Sequence, residues 1–138
     1  MTFGTVGLSI PKPRDLITKI FPIARTDSST VKCVLPKDAI VAGVYVIQSA
    51  AAVTGAASIN VGWSGATTAL LNAFSLPTSS VGYSPAGSAA GSVLVAGTKL
   101  DTDKQVLCTF AVGTSTAGGT GFVKIEYFVP GAGEQIDD

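Results

Sequence analysis

From Ala39 to Thr98 the chain runs for sixty residues without one Asp, Glu, Lys or Arg. A soluble monomer spreads both signs of charge over its exterior, because hydrated charged groups oppose self-association. An uncharged stretch of this length, over 40% of the 138 residues, belongs to a surface that something else covers. A membrane is not that cover. The most apolar piece, Ala39 to Ala57, contains Gln48, Ser49 and Thr54 and is bounded by Gly and Ala, and its closely spaced Val and Ile read as a buried strand.

The length suits one domain with a real core. Net charge is zero, but residues 1–38 carry six basic and three acidic side chains and residues 99–138 the reverse. A positive front and a negative tail suit contact between neighbouring copies. No basic cluster is interleaved with aromatics, so no nucleic-acid partner is expected. Cys33 and Cys108 are too few for a stapled secreted domain and lie in apolar runs, where two buried thiols are favoured over a disulfide. The first residues have no basic region and no compact apolar core, so export by the general secretory route is not expected.

Residues 1–29 differ from the rest of the chain. Gly4, Gly7, Pro11, Pro13 and Pro22 break up isolated apolar residues, and Pro11-Lys12-Pro13-Arg14 is extended because proline fixes its own φ and biases its predecessor. Asp15 to Phe21 fits one helical turn or a short strand. This segment reads as an extended N-terminal arm. Its anchors are Phe3, Leu8, Ile10 and Phe21, with Lys12 and Arg14 reaching acidic neighbours.

From Thr30 the period is two. The odd positions of Val31-Lys32-Cys33-Val34-Leu35 are core candidates, and Ile40 to Ile47 is a long β-branched strand. Ile59, Val61 and Trp63 share one face of the next strand, while Thr67 to Leu76 suits either helix or strand. Residues 77–91 read as a long surface loop with one short edge strand, and Ser92 to Ala96 as a short strand. Gln105 to Val112 and Phe122 to Val129 read as antiparallel neighbours joined by a Gly- and Thr-rich connection, with Val123, Ile125, Tyr127 and Val129 on one face. Seven or eight strands with turns at this spacing predict an all-β, antiparallel β-sandwich of jelly-roll type over residues 30–130, followed by an acidic tail at 131–138.

Chemistry is thin. The chain has no histidine, which removes the usual general base and the commonest zinc ligand together. Neither cysteine has a partner at metal-binding spacing. Asp101 and Asp103 lack the remaining ligands of a calcium loop, and Lys104 beside them repels a cation. Gly113 to Thr120 lacks the lysine of a phosphate loop. Acids distant in sequence would have to converge for hydrolysis, and most flank turns or termini. The expectation is a protein without catalytic residues, metal, cofactor or small-molecule ligand. Trp63, Tyr45 and Tyr127 fall in strand positions that favour core packing, which leaves Tyr83 as the aromatic to test for recognition.

The order of these features resembles the small β-sandwich structural proteins of tailed-phage virions, particularly head decoration or cement proteins. Carrying the resemblance are the lead Leu35-Pro36-Lys37-Asp38-Ala39-Ile40 into a long Val/Ile strand, the Gly/Ala/Ser/Thr-rich middle, Ile59-Asn60-Val61-Gly62, and Gly119-Thr120-Gly121-Phe122-Val123-Lys124-Ile125-Glu126-Tyr127. It covers about three-quarters of the chain, residues 30–129. The resemblance implies a homo-oligomeric virion protein on the capsid surface, made in the host cytoplasm, bridging capsomers of the major capsid protein with an N-terminal arm. Phage tail and fibre modules share much of the pattern. They imply an alternative, recognition of a host glycan or surface protein through the Thr78–Gly91 loop with Tyr83 and the Gly113–Gly121 loop.

Overall fold

The computed structural model describes residues 16–79 and 81–130. Among them are eight strands: β1 (Ile17–Ile23), β2 (Thr30–Leu35), β3 (Ile40–Gln48), β4 (Ala57–Trp63), β5 (Ala66–Leu76), β6 (Gly82–Pro85), β7 (Lys104–Ala111) and β8 (Gly121–Phe128). A single-turn helix, α1 (Ser92–Ala96), lies between β6 and β7. One sheet has the order β1-β8-β3-β6 and the other β2-β7-β4-β5. Strand 1 pairs with 8, 2 with 7, 3 with 6 and 4 with 5, all antiparallel. The chain is thus one long hairpin rolled up so that β8 also pairs with β3, and β7 with β4. This is the jelly roll that the sequence predicts.

Alternation builds the core. Val123, Ile125 and Tyr127 of β8 face inward against Val41, Val44 and Val46 of β3, and Ile59, Val61 and Trp63 of β4 close on them from the other sheet. A bulge at Ala42 shifts the phase of β3, so Val41 and Val44, three apart, both point in while Tyr45 and Ile47 point out. A second bulge, between Val31 and Cys33, turns Val31 to solvent and leaves Cys33 and Leu35 as the inward residues of β2.

Four expectations are corrected. The body starts before residue 30: Ile17–Ile23 pairs in register with β8, and Phe21, expected as an arm anchor, is 3% exposed in the core opposite Val123. Phe21 and Ile23 alternate around Pro22, and an edge strand tolerates that proline. Ser92–Ala96 is helical, because Gly91 lies against the backbone of Thr68 and Ala69, where no side chain fits, and Gly97 ends the turn in the left-handed region at φ 65°. β7 and β8 are not neighbours: their connection crosses from one sheet to the other, turning at Gly118 and Gly119 with φ of 68° and 75°. Tyr45 is an outer-face residue. The remaining arm residues, Phe3, Leu8, Ile10, Lys12 and Arg14, and the acidic tail at 131–138 lie outside the described residues.

Thr67 to Leu76 resolves as a strand, and β6 is the expected short edge strand in the loop before α1. Cys33 and Cys108 are free thiols, the latter fully buried. Burial pushes the Cys108 thiol up to about 12, helped by the negative charge of Asp27, and burial also raises Cys33 against the opposing charge of Lys19.

Candidate assembly surface

Nested pairing has a spatial consequence. The middle of the sequence, β3 to β6 with α1, becomes one lateral half of the sandwich, and the two ends of the sequence become the other. The sixty uncharged residues therefore gather on one flank, where β5 and β6 are the sheet edges. The residues that bound the run close it. Asp38 and Lys99 approach to 3.9 Å, the Asp38 N–H donates to the Leu100 carbonyl at 2.8 Å, and the Leu100 N–H donates to Ala39 at 2.9 Å.

The exterior of this flank mixes small and hydroxyl-bearing residues with the exposed side chains of Val53, Val81, Tyr83 and Val95. Asn72, Ala73, Ser75, Ser84, Ser92 and Ala96 are exposed, and all four residues of β6 are open to solvent. Between the two edges the sheets part to leave a groove of about 400 Å³, floored by Val46 and Phe74 and walled by Val81, Tyr83 and Ser84. Gln48 reaches into its end. Its amide nitrogen donates to the carbonyls of Ala50 and Pro77 at 3.2 and 3.0 Å.

The outer face of the first sheet is also unusually apolar. One cross-strand row reads Pro22, Phe122, Ile47, Tyr83 and the next reads Ile20, Lys124, Tyr45, Pro85. Tyr83, proposed from sequence as a recognition residue, is 55% exposed and sits on strand β6, where its ring stacks on Tyr45 with centroids 5.2 Å apart. Gly43 makes room for Tyr45, since a side chain there would collide with the ring. The Lys124 ammonium lies 5.3 Å from both ring centroids and 3.3 Å from Glu126, and the Tyr83 hydroxyl, followed by Glu126, raises its pKa. The sequence contains no local sign of this Tyr45–Tyr83–Lys124 cluster, because its members meet only across three strands.

The charged half is knit together internally. Arg25, just after β1, donates to the Ser115 hydroxyl at 3.0 Å and to the carbonyls of Ser115 and Gly118 at 2.9 Å, and stacks over Phe110 at 5.3 Å. Asp27 and Lys32 form a buried ion pair at 2.9 Å, with Asp27 also accepting the Ala24 N–H. Asp101 and Asp103 act as turn residues. Asp103 accepts the Lys37 N–H at 2.7 Å, and Lys104 lies 3.3 Å from Asp101 and holds its carboxyl below the usual range. Among the described residues no three acids, cysteines or histidines come together as metal ligands, and no helix is long and apolar enough to cross a membrane.

No family model and no curated protein matches this chain. Among solved structures, a chain of the cyanophage Pam1 capsid asymmetric unit is similar in fold, with a TM-score of 0.62 and 19% sequence identity over 84% of this chain and 86% of that one.

Proposed function

We infer that this chain is a non-enzymatic structural protein of a phage virion, of the capsid decoration or cement type. It sits on the capsid surface and bridges neighbouring subunits, with further copies of itself and the major capsid protein as partners. The observation that carries the reading is the gathering of sixty uncharged residues onto one flank of the sandwich. Burying such a flank against another protein desolvates no ionised side chain, which is the costly part of most protein contacts. The likeness in fold to a chain of a phage capsid unit supports the same reading.

The arm supplies the second contact. Phe3, Leu8 and Ile10 bury on a neighbour, while Lys12 and Arg14 meet its acids. At roughly 25 cal/mol per Å², a few hundred Å² of apolar arm contributes several kcal/mol before ordering costs. Symmetry in a shell repeats that contribution.

The test is occupancy of purified capsids by the full-length protein, by Leu8→Asp, and by a truncation lacking residues 1–14, which stops short of β1. The expected result is saturable binding by the native chain and at least ten-fold weaker binding by both variants. Full occupancy by both variants would remove the arm from the account. Absence of capsid binding by the native chain, together with glycan binding abolished by Tyr83→Ala, would replace the account with the recognition reading.

A further inference from the structure

We propose that the groove between β5 and β6 is the acceptor for the uncharged N-terminal segment, residues 2–10, of a second copy of this chain. The proposal rests on the bridging role inferred above and names the surface that receives the arm.

Three features of the groove define its occupant. Among the described residues it opens between the outer edges of β5 and β6, so an extended backbone laid there meets sheet-edge N–H and C=O groups. Its floor is apolar, Val46 and Phe74, and its rim sets the small and hydroxyl residues Ser75, Gly82 and Ser84 beside Pro77, Val81 and Tyr83. Among the described residues no ionised side chain lines it, so a charged segment entering it would lose hydration without a counter-charge.

The start of the sequence meets these demands. Met1 to Pro11 carries no charge, and no proline interrupts it before Pro11. In Thr2-Phe3-Gly4-Thr5-Val6-Gly7-Leu8-Ser9-Ile10 an extended backbone puts Thr2, Gly4, Val6, Leu8 and Ile10 on one face, and Phe3, Thr5, Gly7 and Ser9 on the other. Over residues 5–10 that is an apolar face for the floor and a small, hydroxyl face for the rim.

Charge along the path decides whose groove it fills. β1 and β6 are opposite edges of one sheet, three strand spacings or about 14 Å apart. Ile17 is level with Tyr127 and Val41, whereas the groove lies at the level of Gln48, about 23 Å further along β3. A chain leaving Ile17 for its own groove crosses a diagonal of about 27 Å, which takes about eight extended residues. Ile10 would be spent on the crossing, and Lys12, Arg14 and Asp15 would lie across the apolar rows of Ile20, Phe122 and Ile47. A neighbour's groove requires neither.

The experiment mixes two full-length variants, Leu8→Cys and Val81→Cys, under mild oxidation, with a mass tag on one so that the heterodimer is identified. Val81 is 55% exposed on the groove wall, so its replacement leaves the core intact. The expected result is a disulfide-linked heterodimer at least ten-fold above that formed by Leu8→Cys with Val31→Cys, an equally open position on the far edge strand β2. Adding Ser84→Asp to the groove partner should lower the yield at least ten-fold. Equal linking to Val31→Cys, indifference to Ser84→Asp, or a link formed only within one chain of the Leu8→Cys/Val81→Cys double variant would each overturn the proposal. No capsid is present in this experiment, so the groove can fail while capsid binding stands, and the reverse.

Discussion

If residues 1–14 bind a neighbour as proposed, strand β1 carries the load, so the strength of its attachment matters, and Arg25 is the place to weaken it. Among the described residues β1 is an edge strand paired with β8 alone, and the residues after it are held to the β7–β8 connection by the Arg25 guanidinium. Arg25→Met keeps the aliphatic stem but deletes three charge-assisted hydrogen bonds and the stack on Phe110. Two part-buried carbonyls, Ser115 and Gly118, lose this donor, at about 1 kcal/mol each once partial solvent access is discounted. The stack adds about 0.5–1 kcal/mol. The expected loss is about 3 kcal/mol, or about 12 °C in Tm for a domain of this size. Arg25→Lys keeps the charge but presents one compact ammonium instead of a planar fork, so about half of the loss remains.

Thermal and urea unfolding measure the global loss, and hydrogen exchange at the amides of Ile17–Ile23 locates it. If β1 loosens as a unit, exchange there rises about 100-fold, and amides of β4 and β7 that open only with the whole domain rise by no more than the same factor. A loss below about 0.5 kcal/mol in Arg25→Met, or equal behaviour of Lys and Met at this position, would refute the clamp. Wild-type exchange in β1 combined with a lower Tm would place the effect elsewhere.

The Asp27–Lys32 pair is buried on both sides, so Lys32→Met alone should cost about 3 kcal/mol by stranding a carboxylate. Asp27→Asn together with Lys32→Met should cost much less than the two single losses combined, and a double-mutant cycle in urea that shows simple additivity would contradict this. The Cys108 thiol, at about 12 in the folded protein against 9.0 as its ordinary value, makes stability depend on pH in the alkaline range. The folded state holds the proton more tightly, so this contribution is complete below pH 9 and is lost as pH rises from 9 toward 12, by at most about 1.4 kcal/mol per pH unit. Cys108→Ala should flatten the slope between pH 9 and 10, and native Cys108 should resist alkylation at pH 8; an unchanged slope would remove the thiol as its source.

The strands legible in the sequence are those in which burial alternates without interruption. Ile59, Val61 and Trp63, and Val123, Ile125 and Tyr127, show their inward faces directly. Where a bulge intervenes the phase slips, which is why Tyr45 reads as core and stands outside, and why Val31 reads as inward and is exposed. β1 is hidden for another reason. Ile17, Ile20, Phe21 and Ile23 are apolar on both faces, because the outer face of this sheet is itself apolar, and a period-two signal needs a polar face to contrast with. The helix at Ser92–Ala96 is shorter than any helical period can reveal, and it is set by two glycines whose roles depend on distant backbone and on handedness.

The uncharged run is the one feature whose meaning changes between one dimension and three. In a simple meander, consecutive strands are adjacent and a run of sixty residues would occupy one part of one sheet. In a chain folded back on itself with 1 against 8 and 4 against 5, the central strands form the inner half of the hairpin, and rolling the hairpin assigns that half to one flank of both sheets. Lys and Asp inserted on the solvent side of β5 would cost this fold little, since positions such as Asn72 and Ser75 are exposed. Stability of the isolated domain therefore does not demand that the flank stay free of charge. A partner surface does, because each ionised group there would have to be stripped of water when the partner arrives.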